Sequence, residues 1–212
     1  YPGADRVDMV PPSGGTSTST FTNSLGQKTK LIQYLAAGIT GTGQATMYEY
    51  DGGGRMSKMT DPAGNKWTWT FDLLGNRVGQ DDADSGVSTA TYDLAGNMTS
   101  TTDARGTTVT TTYDELNRKT ATYAGTASGA MLSSWTYDTV KKGLVTTSTA
   151  YTGSAPGAPG LAYATTVGSY DAAGNPLETT LSIPAGAPAF AGTSYKTTLY
   201  YNADSSLWVK QM

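Results

Sequence analysis

The 212-residue chain contains no cysteine and no histidine. Without thiols there is no disulfide framework and no thiolate nucleophile. Without imidazole there is no histidine-centred triad, and the commonest zinc and iron ligands are gone as well. Charge is scarce too. Charged residues make up 15% of the chain, and 14 scattered Lys and Arg stand against 17 Asp and Glu. The net charge of −3 and pI near 4.8 provide no clustered basic surface of the kind a phosphate backbone needs. Long apolar runs are also missing. The most apolar stretch, Leu31 to Ile39, falls far short of the ~20 residues that span a bilayer, and no charged-then-apolar leader opens the chain. The chain begins at Tyr1 rather than Met and is expected to be a fragment. The lack of cysteine leaves the compartment open, because a large enough core can replace disulfides.

What the chain does have is Gly (26 residues), Thr and Ser, a makeup that favours many strands joined by turns over helices. The length predicts one domain, or a piece of one, large enough to bury a core.

A period organises it. Tyr50-Asp51-Gly-Gly-Gly54, Phe71-Asp72-Leu-Leu-Gly75, Tyr92-Asp93-Leu-Ala-Gly96 and Tyr113-Asp114-Glu-Leu-Asn117 place successive aromatics 21 positions apart. Tyr137-Asp138, Tyr170-Asp171-Ala-Ala-Gly174 and a degenerate Tyr201-Asn202 follow, at spacings of 24, 33 and 31. Between them runs a second punctuation: Asp61-Pro62-Ala63-Gly64, the looser Asp82 to Gly86, and Asp103-Ala104-Arg105-Gly106. The unit is therefore two strands and two turns.

Turn chemistry explains these residue types. In Asp-x-x-Gly the carboxylate can accept the backbone N–H two residues on, and the Gly takes the left-handed conformation that closes a hairpin. Asn117 can stand in for Gly because Asn tolerates that region. Between turns the residues alternate, as in Lys66 to Phe71, where Trp67, Trp69 and Phe71 share one face. Antiparallel connection sends Tyr-Asp turns to one edge and mid-repeat turns to the other. The sequence divides into divergent half-repeats over 1–47, regular 21-residue repeats over 48–123, and repeats with longer mid-repeat insertions over 124–212. The insertions at 124–130, 153–160 and 184–192 are expected to be flexible or polyproline-like loops.

Three sharper readings compete with this one. Repeated aspartates could form acid–base pairs, but catalysis needs one special pair and not a ladder, so no enzyme is expected. Asp82 and Asp84 resemble half a calcium loop, yet the distal bidentate Glu is lacking, and the segment reads as a solvated acidic turn; no metal or cofactor is expected. Trp67, Trp69 and Trp135 are candidate ligand contacts, for instance with sugar rings, although their phase suits packing on the sheet.

The stretch from Tyr92 to Arg118 resembles the YD repeats of the Rhs family, which includes bacterial polymorphic toxins, the shell component of insecticidal toxin complexes, wall-associated bacterial proteins and the animal teneurins. The resemblance runs from about Tyr48 to Tyr201, with a weaker half-repeat at Phe21 to Tyr34. It implies an all-β array of antiparallel hairpins, essentially free of helix, forming part of a curved, spiralling β-shell. The Tyr, Asp and Gly or Asn named above would be structural ladder positions. Asp61-Pro62-Ala63-Gly64 superficially matches the Asp-Pro-x-Gly of a self-cleavage segment in family shells, but it sits in the regular mid-repeat phase and is read as a turn. The function implied is a non-enzymatic shell segment that encloses or presents the toxin domain of a secreted polymorphic toxin. The alternative is a cell-surface adhesion or carbohydrate-binding module on the same scaffold. Expected partners are the remaining repeats and C-terminal domain of its own protein, a second copy through open edge strands, or carbohydrate. Nucleic acid and a membrane span are not expected, and the location implied is secreted or cell surface.

Overall fold

The computed structural model describes residues 5–12, 14–36 and 38–211. Residues 1–4, 13 and 37 of the divergent segment 1–47, and Met212 of the segment 124–212, lie outside the described residues. Among the described residues there are seventeen strands and no helix, and every strand pair is antiparallel, which is the all-β hairpin array expected from the repeat. The chain divides into two compact units, Tyr1–Ala90 and Thr91–Met212.

The first unit is a meander of β1 (Arg6–Met9), β2 (Thr18–Thr22), β3 (Lys28–Tyr34), β4 (Gly43–Tyr50), β5 (Met56–Thr60), β6 (Lys66–Phe71), β7 (Arg77–Asp82) and β8 (Gly86–Tyr92), the last two residues of which open the second unit. Each strand is laddered to the next, from Arg6↔Phe21 in the first pair to Asp82↔Gly86 in the last. The second unit continues with β9 (Met98–Thr102), β10 (Thr108–Tyr113), β11 (Lys119–Ala124), β12 (Met131–Tyr137), β13 (Val145–Thr152), β14 (Leu161–Tyr170), β15 (Pro176–Ser182), β16 (Ser194–Tyr201) and β17 (Leu207–Gln211), again each paired with the next. A register shift marks the end of the strand ahead of the turns that follow Tyr50, Phe71, Tyr113, Tyr137, Tyr170 and Tyr201, for example between Thr112 and Tyr113 and between Thr70 and Phe71. The shift is the bulge that a five-residue turn with a left-handed fourth residue produces.

The expectation of a buried core is overturned. Among the described residues the buried apolar side chains are only Ala121, Val167 and Ala187. The substantial strand contacts are those between ladder neighbours, so each unit is one layer with two half-exposed faces. The sequence reason is the Thr content: β-branched hydroxyl side chains suit a pleated surface without needing a second layer. They bond across the strands instead, as Thr102 Oγ1 does to Thr108 Oγ1 (2.8 Å), Thr112 Oγ1 to Thr120 Oγ1 (2.8 Å) and Thr122 Oγ1 to Ser133 Oγ (2.5 Å).

Two of the long insertions are also not extended coils. The 124–130 segment turns tightly, with Gly129 N–H donating to Thr126 O (2.8 Å), and the 153–160 segment closes through reciprocal bonds between Ala155 and Ala158. An isolated bridge, Ala130↔Pro156, ties the two together. Part of the lengthening lies elsewhere than the sequence suggests. Asp138 N–H closes on Leu144 O, six residues on, whereas Asp114 N–H closes on Arg118 O, four residues on, so this Tyr-Asp turn itself carries two extra residues.

Gly96 adopts φ 83°, and Gly52, at the tip of another Tyr-Asp turn, has no positive φ and open space around it. Replacing Gly96 by Ala is expected to lower unfolding stability by about 1–2 kcal/mol, since it puts a Cβ into the left-handed region. Gly52→Ala should stay within about 0.5 kcal/mol of the parent. Urea titrations of the two variants check this; equal effects contradict it.

Candidate functional site: the Tyr-Asp turn edge

The turns share one set of bonds. At Asp93 the backbone N–H donates to Asn97 O (3.0 Å), and Gly96 N–H returns to Asp93 O (3.1 Å). Asp93 Oδ1 accepts the N–H groups of Ala95 (2.9 Å) and Asn97 (2.8 Å), and Oδ2 accepts Asn97 Nδ2 (2.9 Å). The bonds recur at Asp51, Asp72, Asp114 and Asp171, and on the opposite edge at Asp61 and Asp103. Gly54, Gly64, Gly75, Gly106 and Gly174 take the place of Gly96, and Asn117 takes it at φ 61°. Tyr201-Asn202, degenerate in sequence, builds the same turn with Ser205 at φ 65° in the left-handed position. Asp82 differs: its Oδ1 accepts Asp84 and Ser85 N–H (both 2.9 Å), closing a tighter turn.

These bonds set the carboxylates' acidity. The side-chain amides of Asn65, Asn76, Asn97 and Asn175 hold Asp61, Asp72, Asp93 and Asp171 below the usual range. The backbone N–H groups of Arg55 and Arg118 do the same for Asp51 and Asp114, the Arg105 side chain for Asp103, and the Arg118 side chain for Asp138. Each carboxylate is thus engaged as an acceptor within its own turn or the next, which suits a structural group rather than a proton carrier.

The residue after the left-handed position also reaches forward to the next turn on the same edge. In the first unit Gln27 Nε2 donates to Gly54 O (2.8 Å) and Arg55 Nη1 to Asp72 O (3.1 Å), with the Arg55 guanidinium 4.7 Å from the centre of the Phe71 ring. In the second, Asn97 Nδ2 donates to Asn117 Oδ1 (2.8 Å), and Arg118 forms a two-pronged pair with Asp138 (3.0 and 2.8 Å) while lying over Tyr137 (4.3 Å). In the longer turn after Asp138 the reach comes instead from Lys141, ahead of the left-handed Gly143, whose Nζ donates to Asp171 O (2.6 Å) and Ala172 O, and in the next turn Asn175 Nδ2 donates to Ser205 Oγ (3.0 Å). The tyrosines reach back. Tyr50, Tyr113, Tyr137 and Tyr170 donate their hydroxyls to the carbonyls of Lys28, Met98, Lys119 and Val145, each at the exit of the preceding turn. Tyr92 ends β8 and Tyr201 ends β16 in the same phase. Sequence reasoning missed the forward link; its signal is the Arg or Asn that directly follows Gly54, Gly96, Asn117 and Gly174.

Several tips of this edge carry exposed leucines. Leu73 and Leu94 stand fully exposed at 104% and 98%, and Leu25, Leu74 and Leu116 are exposed as well. The equivalent mid-repeat positions hold Pro62, Ala63, Ala104 and Arg105. Trp67 and Trp69 are half-buried on β6, and Trp69 lines a shallow recess with Met56, Phe71 and Arg77. Trp135 lies half-buried on β12 in the other unit. No cluster of three or more metal-binding side chains occurs among the described residues.

A one-layer meander whose turns are bonded to their neighbours defines a class: a β-hairpin repeat protein. Residues 92–128 match the family model described as RHS Repeat. No curated protein matches it. Among solved structures it is similar to the TcdB2-TccC3 complex (TM-score 0.72, 16% identity, 92% of this chain and 11% of that one). It is also similar to TcdB2-TccC3-TEV (0.72, 17%, 92% and 11%) and to the Photorhabdus luminescens Tc holotoxin pore (0.71, 16%, 92% and 10%). At these identities the likeness establishes the fold, and the chain spans about a tenth of the length of those proteins.

The turn carboxylates carry a pH consequence. Their folded pKa values are depressed, so the stability they contribute is present above the unfolded Asp value, about 3.9, and is lost as pH falls through the folded values. The melting temperature should hold near neutrality and drop steadily once pH passes below about 4. Thermal melts followed by circular dichroism between neutral and strongly acidic buffer test this, and a flat profile into strong acid contradicts it.

Proposed function

We propose that this segment is wall material: a non-enzymatic stretch of a YD-repeat shell that encloses or presents the toxin domain of a secreted polymorphic toxin. The observation that carries the reading is the Tyr-Asp edge, where, within each unit, bonds run from turn to turn along strands that bury almost no apolar side chain among the described residues. Such an edge fixes strand after strand without limit on length, which is what a continuous wall requires. Its exposed leucines give further repeats of the same protein an apolar rim to pack against. The fold match to a tenth of much longer toxin-complex chains supports a role as one part of a larger enclosure. We take the divisions 1–47, 48–123 and 124–212 as divergent, regular and loop-bearing stretches of that wall. The terminal strands add a second mode of contact. All residues of β1 and of β17 are exposed, so each can pair with another chain when nothing covers it.

The half-buried Trp67 and Trp69, beside a recess on β6, keep a second reading in view, in which the same scaffold holds carbohydrate at a cell surface. Proteolysis of the natural full-length polypeptide separates the two. A shell leaves its enclosed domain uncut until the array unfolds, and glycan arrays stay blank. Digestion of that domain at equal rates with the array folded and unfolded contradicts the shell, and glycan binding lost in a Trp67→Ala/Trp69→Ala variant favours adhesion.

A further inference from the structure

Within the second unit, the insertion between β15 and β16 is a built loop. Ile183 N–H donates to Thr193 O (2.8 Å), Pro184 O accepts the N–H groups of Ala187 (3.0 Å) and Gly192 (3.3 Å), and the Ala187 side chain is buried as an anchor. At its tip Phe190 sits at φ 53°, a left-handed conformation that a bulky side chain rarely adopts. Two bonds hold it there, from Thr193 N–H (3.1 Å) and Thr193 Oγ1 (2.5 Å) to Phe190 O. Core packing does not explain the strain, because Phe190 is 68% exposed.

What the conformation does is place the ring over a cleft of about 470 Å³ lined by Leu181, Phe190, Tyr195, Thr197 and Lys210. The rings of Phe190 and Tyr195 meet edge to face, with centroids 6.4 Å apart and planes at 79°. Leu181 lies directly across the ladder from Tyr195, and Lys210 pairs with Leu199 on the next strand. These groups come from three consecutive strands and the loop above them. The lining holds no carboxylate. Lys196, the other lysine of this region, is occupied by Glu178 at 2.6 Å, whereas Lys210 has no ion-pair partner among the described residues.

We propose that this cleft binds a small aryl carboxylate, its ring held between Phe190, Tyr195 and Leu181 and its anionic end at the Lys210 ammonium, with the Thr197 hydroxyl as a second polar contact. The volume lies in the range of small-ligand sites, and aromatic walls with one cation select a ring-bearing anion over a neutral ring or an alkyl acid. Strain is retained at Phe190 because the site needs the ring there. None of this depends on the shell reading: the cleft is complete within the second unit whatever the array encloses.

Calorimetric titration with naphthoate, and with naphthalenemethanol and octanoate as neutral and non-aryl comparators, tests the assignment on the chain as it stands. Naphthoate should bind at least about threefold more tightly than either comparator, with the advantage shrinking in high salt. Phe190→Gly, which relieves the left-handed strain, should weaken naphthoate about tenfold while leaving the melting temperature equal or higher. Lys210→Met should abolish the preference for the anion over the alcohol. Absence of naphthoate binding, equal affinity for naphthoate and naphthalenemethanol, or unchanged affinity in Phe190→Gly overturns the proposal. If Phe190→Gly lowers both stability and affinity, Lys210→Met decides: retained anion preference overturns the site.

Discussion

The structure depends on the aspartate-closed five-residue turn. A meander that buries almost no apolar side chain among its described residues draws its order from the ladder and the turns, and the ladder alone tolerates slippage, since a one-residue shift leaves as many hydrogen bonds but turns every side chain to the other face. Asp93 removes that freedom. Its carboxylate accepts from Ala95 and Asn97, and the left-handed Gly96 closes the loop behind it, so the chain can leave the turn in one register only. The same device at Asp51, Asp61, Asp72, Asp103, Asp114 and Asp171 sets the register pair by pair.

Turns fixed singly would still give a string of independent hairpins. Coupling comes from side chains that leave one turn and bond the next: Arg55 to Asp72, Asn97 to Asn117, Arg118 to Asp138 and Asn175 to Ser205. The hydroxyls of Tyr50, Tyr113, Tyr137 and Tyr170 bond in the reverse direction, so the turns these tyrosines precede are tied both forward and back, whereas Phe71 has no hydroxyl to return. The result is nearest-neighbour order of the kind found in repeat arrays, in which each unit contacts only those beside it. The opposite edge is freer in length. There the chain carries its insertions, and one of them supports the Phe190 cleft.

Much of this was legible in the sequence because turn chemistry is local. The 21-residue period, the Asp-x-x-Gly signature, the antiparallel strands and the absence of helix all follow from residues close together in the chain, and the substitution of Asn117 at a left-handed position follows from the tolerance of Asn. The forward link was not legible in the same way. Asn97 and Arg118 bond partners 20 residues further on, and only the ladder brings those residues side by side. Length misled on the core: 212 residues suggested a buried interior, yet many of the apolar side chains, the leucines of the turn tips above all, face outward. The bridge between Ala130 and Pro156 carries no local signature, since the two residues lie 26 positions apart and meet only through the strands between them.

The most direct test of the account is a double-mutant cycle between Arg118 and Asp138, which sit in successive turns, using Arg118→Met, Asp138→Asn and the pair. Arg118 also bonds Asp114 in its own turn, so single substitutions alone cannot separate the two links, whereas the cycle isolates the one between turns. The account predicts a coupling energy of stabilising sign, measured by urea unfolding, that weakens when Asp138 is protonated. Additive effects of the two substitutions would contradict it, leaving the turns as independent caps on a ladder that holds itself together.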